Sequence, residues 1–597
     1  MKMKFLQKNL LPLLFTGTVA TLSLFSCKSD PSKACGPVEF KKENTVTVRM
    51  EAAATSLNPI LPGPYYNRIA SGNMIQTLGF FDAKTLELVP LLIKKIPQVY
   101  TVQDGPHKGD LAYDFEIYDQ ANWDNGSPIT AKDFLFSLKI IYHPQLPLGD
   151  WRGYFEYLQA VEADPANPKK FTAYFSKYYI LALETLCQFP IYPAYNYDPE
   201  GKLANIPLAD LQNPQRAEQV LKTNPALSAW AEEFQSPKFA NDKNFISGSG
   251  AYRLENFDVD QGLVMVKKTN WWGDQLVAEN PYLAAFPDKI VYRFVKDETP
   301  TEGLIRSGDV DIVPALSPTM FLKLKKDSCL DLRYGFELVG ANSYGRLMCN
   351  LRRPQLADNR VRQAIAHAID YNYLTNTVWQ GLAERVVSPV NPAKPFYARD
   401  LVPYDYNIQK AKDLLAAAGW SDSNGNGIAD KMINGTLTEL QISLLTPGSA
   451  PVSGQAAKSI QTTARNAGIG INIVEEDIRL ISEQTRNGDY DLAITGASIF
   501  PGLVELYQTF HTKSLGAGNR YGFSNAEMDG LIDAIRTEPD DTKRNVLYVK
   551  AQHILYDELP EIFLYAPQQR IAVSRRFNSV LTANRPGYYE QFFKLIK

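Results

Sequence analysis

The amino-acid sequence predicts an α/β protein with more than one structural unit, and three observations lead to this prediction. The chain has 597 residues, of which 45% are hydrophobic and 21% charged, a balance typical of globular proteins. This length exceeds that of one ordinary domain. Segments with strand character alternate with amphipathic segments along the chain, most clearly after residue 436. Such alternation predicts a sheet covered by helices on both faces.

The unit that begins at residue 436 also predicts where a ligand would bind. Its strands read "TLTELQISLLTP", "IGINIVEED" and "DYDLAITGAS", and its helices read "GQAAKSIQTTARNAG" and "RLISEQTRNG". Gly468 follows the first helix as a C-cap. Ligands of open α/β sheets bind beyond the carboxyl ends of the strands. The loops after "SLLTP" and "AITGAS" are therefore the candidate ligand-binding loops.

An earlier segment combines a strand, a turn and a helix. The strand "YDFEIY" leads to a hairpin-like "WDNGSP", and Thr130 then stands as an N-cap with Asp133 at the capping-box distance. Phe134, Leu138 and Ile141 follow at helical spacing. Further along, residues 199–246 are polar with helical character, which predicts an insertion.

The first 27 residues have the pattern of a secretion signal. Lys2, Lys4 and Lys8 precede an apolar run over 10–25 that is short for a membrane span. "LFSC", which ends at Cys27, resembles a bacterial lipobox, so a lipid anchor on Cys27 and a membrane-tethered lipoprotein in the periplasm or at the cell surface are predicted. An ordinary cleaved signal with a chance cysteine is the alternative. Residues 28–40 read as a flexible leash.

Four further cysteines are Cys35, Cys187, Cys329 and Cys349. Export permits disulfides, and Cys329 and Cys349 flank a strand-like segment and are one candidate pair. Four cysteines allow three connectivities, so the pairing stays open. None has CxxC spacing and the five histidines are not clustered, so no metal site is predicted.

Several functional classes find no support in the sequence. The net charge of −3 provides no basic field for nucleic acid. Phosphate-binding loops, the GxSxG elbow and HExxH are missing from the sequence. The paired carboxylates in "VEEDI" and "RTEPDD" are expected on the surface. The sequence therefore predicts a protein that is not an enzyme and needs no cofactor.

The stretch "SDSNGNGIAD" resembles the start of a calcium loop. Asp422, Asn424 and Asn426 alternate as oxygen donors, and Gly427 falls at position 6. Position 12 is Ile433, where such a loop needs a bidentate acid. A turn built from Asx side chains and glycines, after a helix that ends at Gly419, is therefore favoured over calcium binding.

Seven segments in one order carry a resemblance to a known family. They are "WDNGSPITAKDFLFSLKII", "GSGAYRLENF", "IRSGDVDIV", "NRVRQAIAHAIDYNYL", "YNIQKAKDLLAAAGW", "DYDLAITG" and "LYDELPEIFLY". Together they resemble the extracytoplasmic solute-binding proteins of ABC importers, specifically the peptide/nickel type, family 5. The resemblance covers residues 45 to 595.

The resemblance implies a two-lobed type II periplasmic-binding-protein clamp with an extra domain beside the first lobe. It also implies a monomer that binds a peptide or another small solute and delivers it to an ABC permease in the membrane. The implied divisions are 41–85, 187–297 and 560–597 for lobe 1, 86–186 for the extra domain and 298–559 for lobe 2.

The resemblance also points to candidate ligand-binding residues. Relatives place ligand-facing residues after the first strand's Asn-Pro turn and in the loops at the ends of the lobe 2 strands. The candidates are Tyr65, Tyr66, Asn67, Thr446, Ser449, Gly496, Ser498, Phe500, Glu505, Arg520 and Tyr521.

One position departs from the pattern of peptide-binding relatives. Such relatives commonly have an aspartate before the proline of the loop after "DYDL", where it receives the peptide's amino terminus, whereas this chain has Ile499 and Phe500. Glu505 is the nearest acid and is expected either to substitute for that aspartate or to face solvent on a helix. The ligand could also lack the ammonium charge, whose burial without a carboxylate is costly.

The predicted function is capture of an oligopeptide for an ABC importer. The alternative is a binding protein for a non-peptide solute such as a nickel chelate, a sugar or a signalling ligand, which the apolar pair Ile499 and Phe500 motivates. A third hypothesis, a hydrolase on a binding-protein scaffold, lacks a candidate catalytic carboxylate in the sequence.

Overall fold

The structure is a computed structural model that describes residues 35, 37–63, 65–340, 343–498 and 502–596. The predicted signal peptide over 1–27, with Cys27, and the loop residues Ile499 and Phe500 lie outside the described residues. The described part is a mixed α/β structure with three principal sheets.

The first sheet has seven strands and contains the amino-terminal strand Thr45–Met50 near its centre. That strand reads TVTVRM and buries Val46 and Val48 completely, as expected for β-branched residues in a covered sheet. It runs parallel to both of its neighbours, and the outer pairs are antiparallel. In spatial order the strands are Tyr334–Val339, Gln569–Ser574, Ile312–Val313, Thr45–Met50, Lys289–Phe294, Gly262–Lys267 and Tyr252–Asp258.

The second sheet has six strands and contains the predicted β-α-β-α-β unit. Gln441–Pro447 lies parallel to both Gly470–Glu476 and Leu492–Ser498. The two helices of the unit are Pro451–Asn466 and Ile478–Asn487, so the predicted alternation is confirmed. In spatial order the strands are Ala383–Glu384, Glu561–Pro567, Ser343–Cys349, Leu492–Ser498, Gln441–Pro447 and Gly470–Glu476.

The chain passes from one of these sheets to the other at two crossings. The first leads from Val339 to Ser343, and the second leads from Pro567 through Gln568 to Gln569. We use "the crossings" for these two connections below. They join the two sheets at one edge, which is the arrangement expected of a hinge.

Strand pairing near the crossings differs from the implied lobe boundaries. Ile312–Val313 and Tyr334–Val339 fall within the predicted lobe 2 but pair within the first sheet. Glu561–Pro567 falls within the predicted lobe 1 but pairs within the second sheet. Sequence periodicity identifies a strand, but the choice of sheet depends on distant partners. The remaining boundaries stay a prediction.

A third, antiparallel sheet of four strands lies within the range predicted for the extra domain. Helix Ala131–Tyr142 begins at the predicted capping box, where the Thr130 N–H donates to Asp133 Oδ2 over 2.8 Å. The predicted insertion over 199–246 is helical, and the Trp230 indole donates to the Tyr197 carbonyl over 2.8 Å. The four strands in spatial order are Tyr100–Thr101, Leu111–Glu116, Lys170–Phe175 and Leu158–Ala163.

Helices cover the faces of these sheets, and three small two-stranded ribbons complete the fold. The ribbons are Gly79–Phe81 with Leu88–Pro90, Asp430–Ile433 with Thr436–Glu439, and Phe577–Asn578 with Lys594–Leu595. The further helices are Tyr65–Ser71, Gly149–Tyr154, Ala182–Gln188, Ala194–Tyr197, Leu208–Gln212, Pro214–Thr223, Ala226–Phe234, Pro237–Asn241, Glu298–Ser307, Pro318–Lys325, Ser328–Asp331, Asn359–His367, Ile408–Ala417, Tyr507–Phe510, Ala526–Thr537 and Asp541–Glu558. A π-helix spans Tyr373–Val378, and short 3₁₀ turns span Trp272–Leu276, Pro281–Leu283, Thr512–Ser514 and Glu590–Phe592. Of the described helices, none has the length and apolar character needed to cross a lipid bilayer.

The stretch "SDSNGNGIAD" forms a turn between helix Ile408–Ala417 and strand Asp430–Ile433. Asp422 Oδ1 accepts from the Gly425 N–H over 2.8 Å, and its Oδ2 accepts from the Gly427 N–H over 2.8 Å. Gly425 and Gly427 adopt positive φ angles of 73° and 80°, which glycine adopts without steric cost. The predicted Asx and glycine turn is therefore confirmed, because backbone donors use the Asp422 side-chain oxygens.

One disulfide joins Cys35 to Cys329, with 294 residues of sequence separation. Cys187 and Cys349 are free and buried. The candidate pair Cys329 and Cys349 is therefore wrong. Cys349 lies inside a central strand of the second sheet, whereas Cys329 lies in helix Ser328–Asp331 beside the first sheet. The disulfide fastens the start of the described chain to the first lobe.

Replacement of Cys329 by serine is expected to lower the free energy of unfolding by about 2–4 kcal/mol, because the bond restricts a long loop of the unfolded chain. Chemical denaturation of protein from an oxidising compartment measures the loss. Cys35→Ser should give the same loss, and the double variant should lose no more, since all three variants remove one bond. Losses that add in the double variant would contradict this account.

Candidate functional site

A cavity of about 280 Å³ lies between the first and second sheets, next to both crossings. Ser343, Pro567, Gln568 and Gln569 of the crossings line it, so its floor is the connection between the sheets. Helix Tyr65–Ser71 contributes the aromatic side chains of Tyr65 and Tyr66. The remaining described lining residues are Arg49, Met50, Glu51, Ile69, Pro314, Ala315, Tyr344, Gly345, Trp379, Pro447, Ser453, Ile478, Ile494, Thr495, Gly496, Ala497, Tyr565, Arg570, Arg585, Pro586 and Tyr588.

The first wall of the cavity carries a charged pair at the end of strand Thr45–Met50. The Arg49 guanidinium is buried and donates to the carbonyl oxygens of Val295 and Lys296 over 2.8 and 2.9 Å. Glu51 Oε2 lies 3.6 Å from Arg49 Nη1, and the Tyr66 hydroxyl donates to Glu51 Oε1. Burial lowers the pKa of Arg49 and raises the pKa of Tyr66. Arg49 therefore fixes the strand end and balances Glu51.

The second wall rests on a buried network behind Tyr344. The Tyr344 hydroxyl donates to Glu561 Oε1 over 2.6 Å, and Arg346 Nη1 lies 2.8 Å from Glu561 Oε2. Arg346 also donates to the Tyr521 hydroxyl over 2.6 Å and to Thr495 Oγ1 over 3.1 Å. Glu561 is fully buried, and Tyr344, Arg346 and Tyr521 supply the donors for its carboxyl oxygens. The network holds three neighbouring strands of the second sheet in register beneath the cavity.

Two further arginines reach the cavity from the carboxyl-terminal segment. Arg570 is 7% exposed, and its guanidinium carbon lies 4.7 Å from the centre of the Trp379 ring. The Arg585 guanidinium carbon lies 4.4 Å from the centre of the Tyr65 ring, and its Nη1 donates to Ser498 Oγ over 3.0 Å. Stacking on aromatic faces fixes both guanidinium groups in the cavity wall.

Several sequence-predicted residues meet at this cavity. Tyr65, Tyr66 and Gly496 line it. Ser498 does not line the cavity, but its hydroxyl accepts a hydrogen bond from the lining residue Arg585. These four residues come from the two lobes and are separated by more than 400 positions in sequence, so the cavity unites both predicted walls. Their role in ligand binding stays a prediction.

Three other candidates in the same segments do not line the cavity. Asn67 is buried, and its Oδ1 accepts from the Thr55 N–H over 2.9 Å, so this side chain shapes the preceding turn. Thr446 is fully buried within strand Gln441–Pro447. Ser449 is exposed in the following loop, while its neighbour Pro447 is the residue that lines the cavity.

The candidates in "GNRYGF" lie behind the cavity wall. Arg520 Nη1 donates to Thr485 Oγ1 over 3.2 Å, and its carbonyl accepts from Arg352 over 2.6 Å. Tyr521 is buried, and its hydroxyl donates to Glu561 within the network behind Tyr344. Both residues support the second sheet. Phe500 lies outside the described residues.

Glu505 lies neither in the cavity nor on a solvent-exposed helix face. Its side chain is 4% exposed, and its Oε2 lies 3.5 Å from Arg536 Nε and accepts from the Tyr179 hydroxyl over 2.9 Å. Burial raises the pKa of the Glu505 carboxyl, and the Arg536 guanidinium opposes that rise. Arg536 also donates to Glu156 Oε2 over 2.7 Å. In this geometry Glu505 joins the extra domain to the second lobe and does not line the cavity, and its substitution for an ammonium-binding aspartate stays a prediction.

Sequence reasoning missed most of the charged and aromatic lining residues. Arg49 lies in the alternating strand Thr45–Met50 and Glu51 directly follows it, and this pair of opposite charges at a strand end was an available signal. The polar run "PQQR" over 567–570 spans the junction of two buried strands, which is one of the crossings. Trp379 and Arg585 have no local pattern that sets them apart, so their positions depend on tertiary packing.

Among the described residues, no group of three or more histidine, cysteine, aspartate or glutamate side chains has an arrangement suited to a metal ion. The cavity instead combines aromatic faces, main-chain groups at strand ends and arginine side chains. Such a site can enclose a polar organic solute by hydrogen bonding and stacking.

Comparison with known proteins identifies similar chains. A family model for bacterial extracellular solute-binding proteins, family 5, middle region, matches residues 87–514. The chain is similar to the oligopeptide-binding protein AppA of Bacillus subtilis, with 27% identity over 484 residues that make up 78% of this chain and 77% of AppA.

Solved structures share the fold. AppA of Bacillus subtilis in complex with a nonapeptide aligns with a TM-score of 0.74 at 21% identity, covering 93% of this chain and 99% of AppA. NikZ of Campylobacter jejuni in complex with Ni(L-His) aligns with a TM-score of 0.72 at 18% identity, and the alignment covers 93% of this chain and 100% of NikZ. The predicted two-lobed clamp fold is therefore confirmed.

Replacement of Glu505 by glutamine is expected to lower the free energy of unfolding by about 2 kcal/mol, because it removes a buried charge that faces Arg536. Urea denaturation measures the change. Glu218→Gln is the matched control, since Glu218 is exposed and pairs with Lys222 four residues later, and its loss should stay within about 0.5 kcal/mol. Unchanged stability of the Glu505 variant together with lost ligand affinity would restore the ammonium-binding role.

Proposed function

Because the chain belongs to the bacterial extracellular solute-binding proteins of family 5, we propose that it captures an oligopeptide between its two lobes and delivers it to an ABC permease. The observation that carries the proposal is the position of the cavity, which is enclosed by both sheets and floored by the crossings. A ligand there contacts both lobes, so its binding favours the closed arrangement over the open one.

The chemistry of the walls suits a peptide. Tyr65, Tyr66, Tyr344, Trp379 and Tyr565 offer apolar faces with polar edges, which tolerate varied side chains. Strand ends at Ser343, Gly345 and Gly496 bring main-chain groups to the cavity. The cavity volume of about 280 Å³ lies just below the roughly 300–1,000 Å³ typical of small-ligand sites, which favours a short peptide.

We further propose that the protein binds without catalysis and acts as a monomer tethered to the membrane through a lipid on Cys27. The leash 28–40 would then separate the lobes from the lipid, and the Cys35–Cys329 disulfide would fasten the leash to the first lobe. Single lipid chains give marginal anchoring, so the diacylglycerol modification implied by a lipobox suits a stable tether.

A non-peptide solute is the second candidate, and the two solved complexes motivate it. AppA is recorded with a nonapeptide and NikZ with Ni(L-His), so one fold accommodates both classes of ligand. Ligand identity therefore has to be measured.

Protein purified without denaturation is expected to carry short peptides, which mass spectrometry of the released ligand identifies. After its ligand has been removed, the protein should bind a synthetic copy of that peptide with micromolar affinity or better in calorimetry. Small-angle scattering should show a more compact particle with ligand.

Replacing Tyr344 by alanine should weaken peptide binding roughly 10-fold or more, since it removes an aromatic wall of the cavity. Tyr373→Ala is the control and should leave peptide binding unchanged, because Tyr373 is exposed and does not line the cavity. Release of a metal chelate or a sugar instead of peptide would favour the second candidate.

Replacement of Cys27 by serine is expected to move the protein from the membrane fraction to the soluble fraction, because the acceptor of the lipid is lost. Fractionation of cells and incorporation of labelled fatty acid measure the change. Cys187→Ser, at a buried thiol, is the matched control and should leave the protein in the membrane fraction. A wild-type protein that is soluble without detergent would refute the tether.

A further inference from the structure

The charges that reach the cavity do not balance among the described residues. Arg49 and Glu51 form one pair, with 3.6 Å between their charged atoms. Arg570 and Arg585 both line the same cavity, and no described carboxylate oxygen lies within 4.0 Å of either guanidinium. The described cavity wall therefore carries two positive charges beyond those that its acid compensates.

The hydrogen-bond donors of Arg570 are incompletely used by the described residues. Its Nε donates to the Leu316 carbonyl over 2.5 Å, and its Nη1 donates to the Gln568 carbonyl over 2.5 Å. Nη2 has no hydrogen-bond acceptor among the described residues, and it is not one of their fully buried side-chain atoms, so it can reach a partner in the cavity. These two carbonyls fix the guanidinium plane against Trp379 and leave one edge of the fork for another partner.

Arg585 has a similar surplus of donors. Its Nη1 donates to Ser498 Oγ over 3.0 Å, its guanidinium stacks on Tyr65, and its Nε and Nη2 have no described acceptor. Arg570 belongs to the first sheet, and Arg585 bridges to Ser498 at the end of a second-sheet strand. An anion that contacts both would be held by two side chains of the carboxyl-terminal segment, one of which is fastened to the second sheet through Ser498.

Burial makes the unpaired charge of Arg570 costly. Burial lowers its pKa to about 10, a value at which the guanidinium remains charged at neutral pH. Glu51 and Glu298 are the acids whose charges oppose this shift, yet neither forms an ion pair with Arg570. Glu298 is instead bound by Ser317, whose N–H and hydroxyl each donate to it over 2.8 Å. An anionic ligand would relieve the cost.

We propose that Arg570 and Arg585 bind a carboxylate group of the ligand, so that the cavity anchors an acidic end and not an ammonium. This inference rests on the proposed function and specifies its ligand. Glu51 is the sole acid among the described lining residues, and it is already engaged by Tyr66 and Arg49. The carboxylate comes either from the carboxyl terminus of a peptide or from an acidic side chain.

Four tripeptide libraries without acidic side chains or other charged side chains test the proposal in competition calorimetry. They have free termini, an acetylated amino terminus, an amidated carboxyl terminus, or both modifications. Amidation is expected to weaken binding about 10- to 100-fold, and acetylation less than about 3-fold. A fifth library, amidated but with one glutamate, distinguishes the sources, since recovered affinity assigns the subsite to a side-chain carboxylate. A greater loss from acetylation than from amidation would overturn the proposal.

Variants of the two arginines connect the preference to these residues. Arg585→Gln, Arg570→Gln and the double variant should progressively reduce the difference between free and amidated libraries, and Arg570→Lys should retain part of it. Arg575→Gln is the matched control, because Arg575 is half-exposed on the same segment, pairs with Asp331 and does not line the cavity. Circular dichroism checks that each variant folds. An undiminished preference in a folded double variant would overturn the proposal.

A measurement without peptide separates this proposal from the proposed function. Glutarate, a small dicarboxylate, should raise the melting temperature of the wild-type protein and of Arg575→Gln, but not that of the Arg570→Gln/Arg585→Gln variant. If no peptide library binds and this difference is present, the peptide function fails while the carboxylate subsite holds. If wild type and double variant respond equally to glutarate, the subsite is refuted whether or not peptides bind.

Discussion

The two crossings constrain everything that surrounds the cavity. Strand Glu561–Pro567 ends in the second sheet, strand Gln569–Ser574 begins in the first, and Gln568 alone separates them. The Gln568 N–H donates to the Leu382 carbonyl over 3.0 Å, and its carbonyl accepts from Arg570. A connection of one residue allows little translation between the sheets, so the motion open to the lobes is rotation about this edge.

The cavity walls owe their rigidity to buried charges held by main-chain and side-chain partners. On one side, Arg49 fastens a strand end by donating to carbonyl oxygens, and on the other, Glu561 is held by Arg346, Tyr344 and Tyr521. Removing one member of such a group leaves another charge unpaired in a low dielectric. The free energy of unfolding then falls by more than the whole group contributed to it. A prearranged site of this kind loses less conformational entropy when a ligand binds.

The extra domain takes part in the same arrangement through Arg536. This side chain donates to Glu156 Oε2 and to the Gly153 carbonyl over 2.7 and 2.9 Å, and it faces Glu505 in the second lobe. The Ile180 N–H also donates to the Arg536 carbonyl over 2.9 Å. These contacts join the range predicted for the extra domain to the range predicted for the second lobe.

Local pattern determined much of this protein without its tertiary structure. The alternation after residue 436, the capping box at Thr130 and Asp133, and the Asx turn at Asp422 are all local, since their hydrogen bonds or periodicity involve residues close in sequence. The order of segments also indicated a two-lobed clamp. The family resemblance that this order carries implied ligand-facing positions at Tyr65, Tyr66 and Gly496, and these residues line the cavity.

The tertiary structure alone decided which strands share a sheet, which cysteines pair and which charges meet. Tyr334–Val339 pairs with Gln569–Ser574, more than 200 residues away, and no periodicity specifies that partner. Glu505 was a reasonable acid for the cleft by position, yet packing buries it against Arg536. Arg570 and Arg585 have no distinguishing sequence pattern, because a side chain's role in a cleft depends on neighbours brought together by chain crossings that local propensity does not encode.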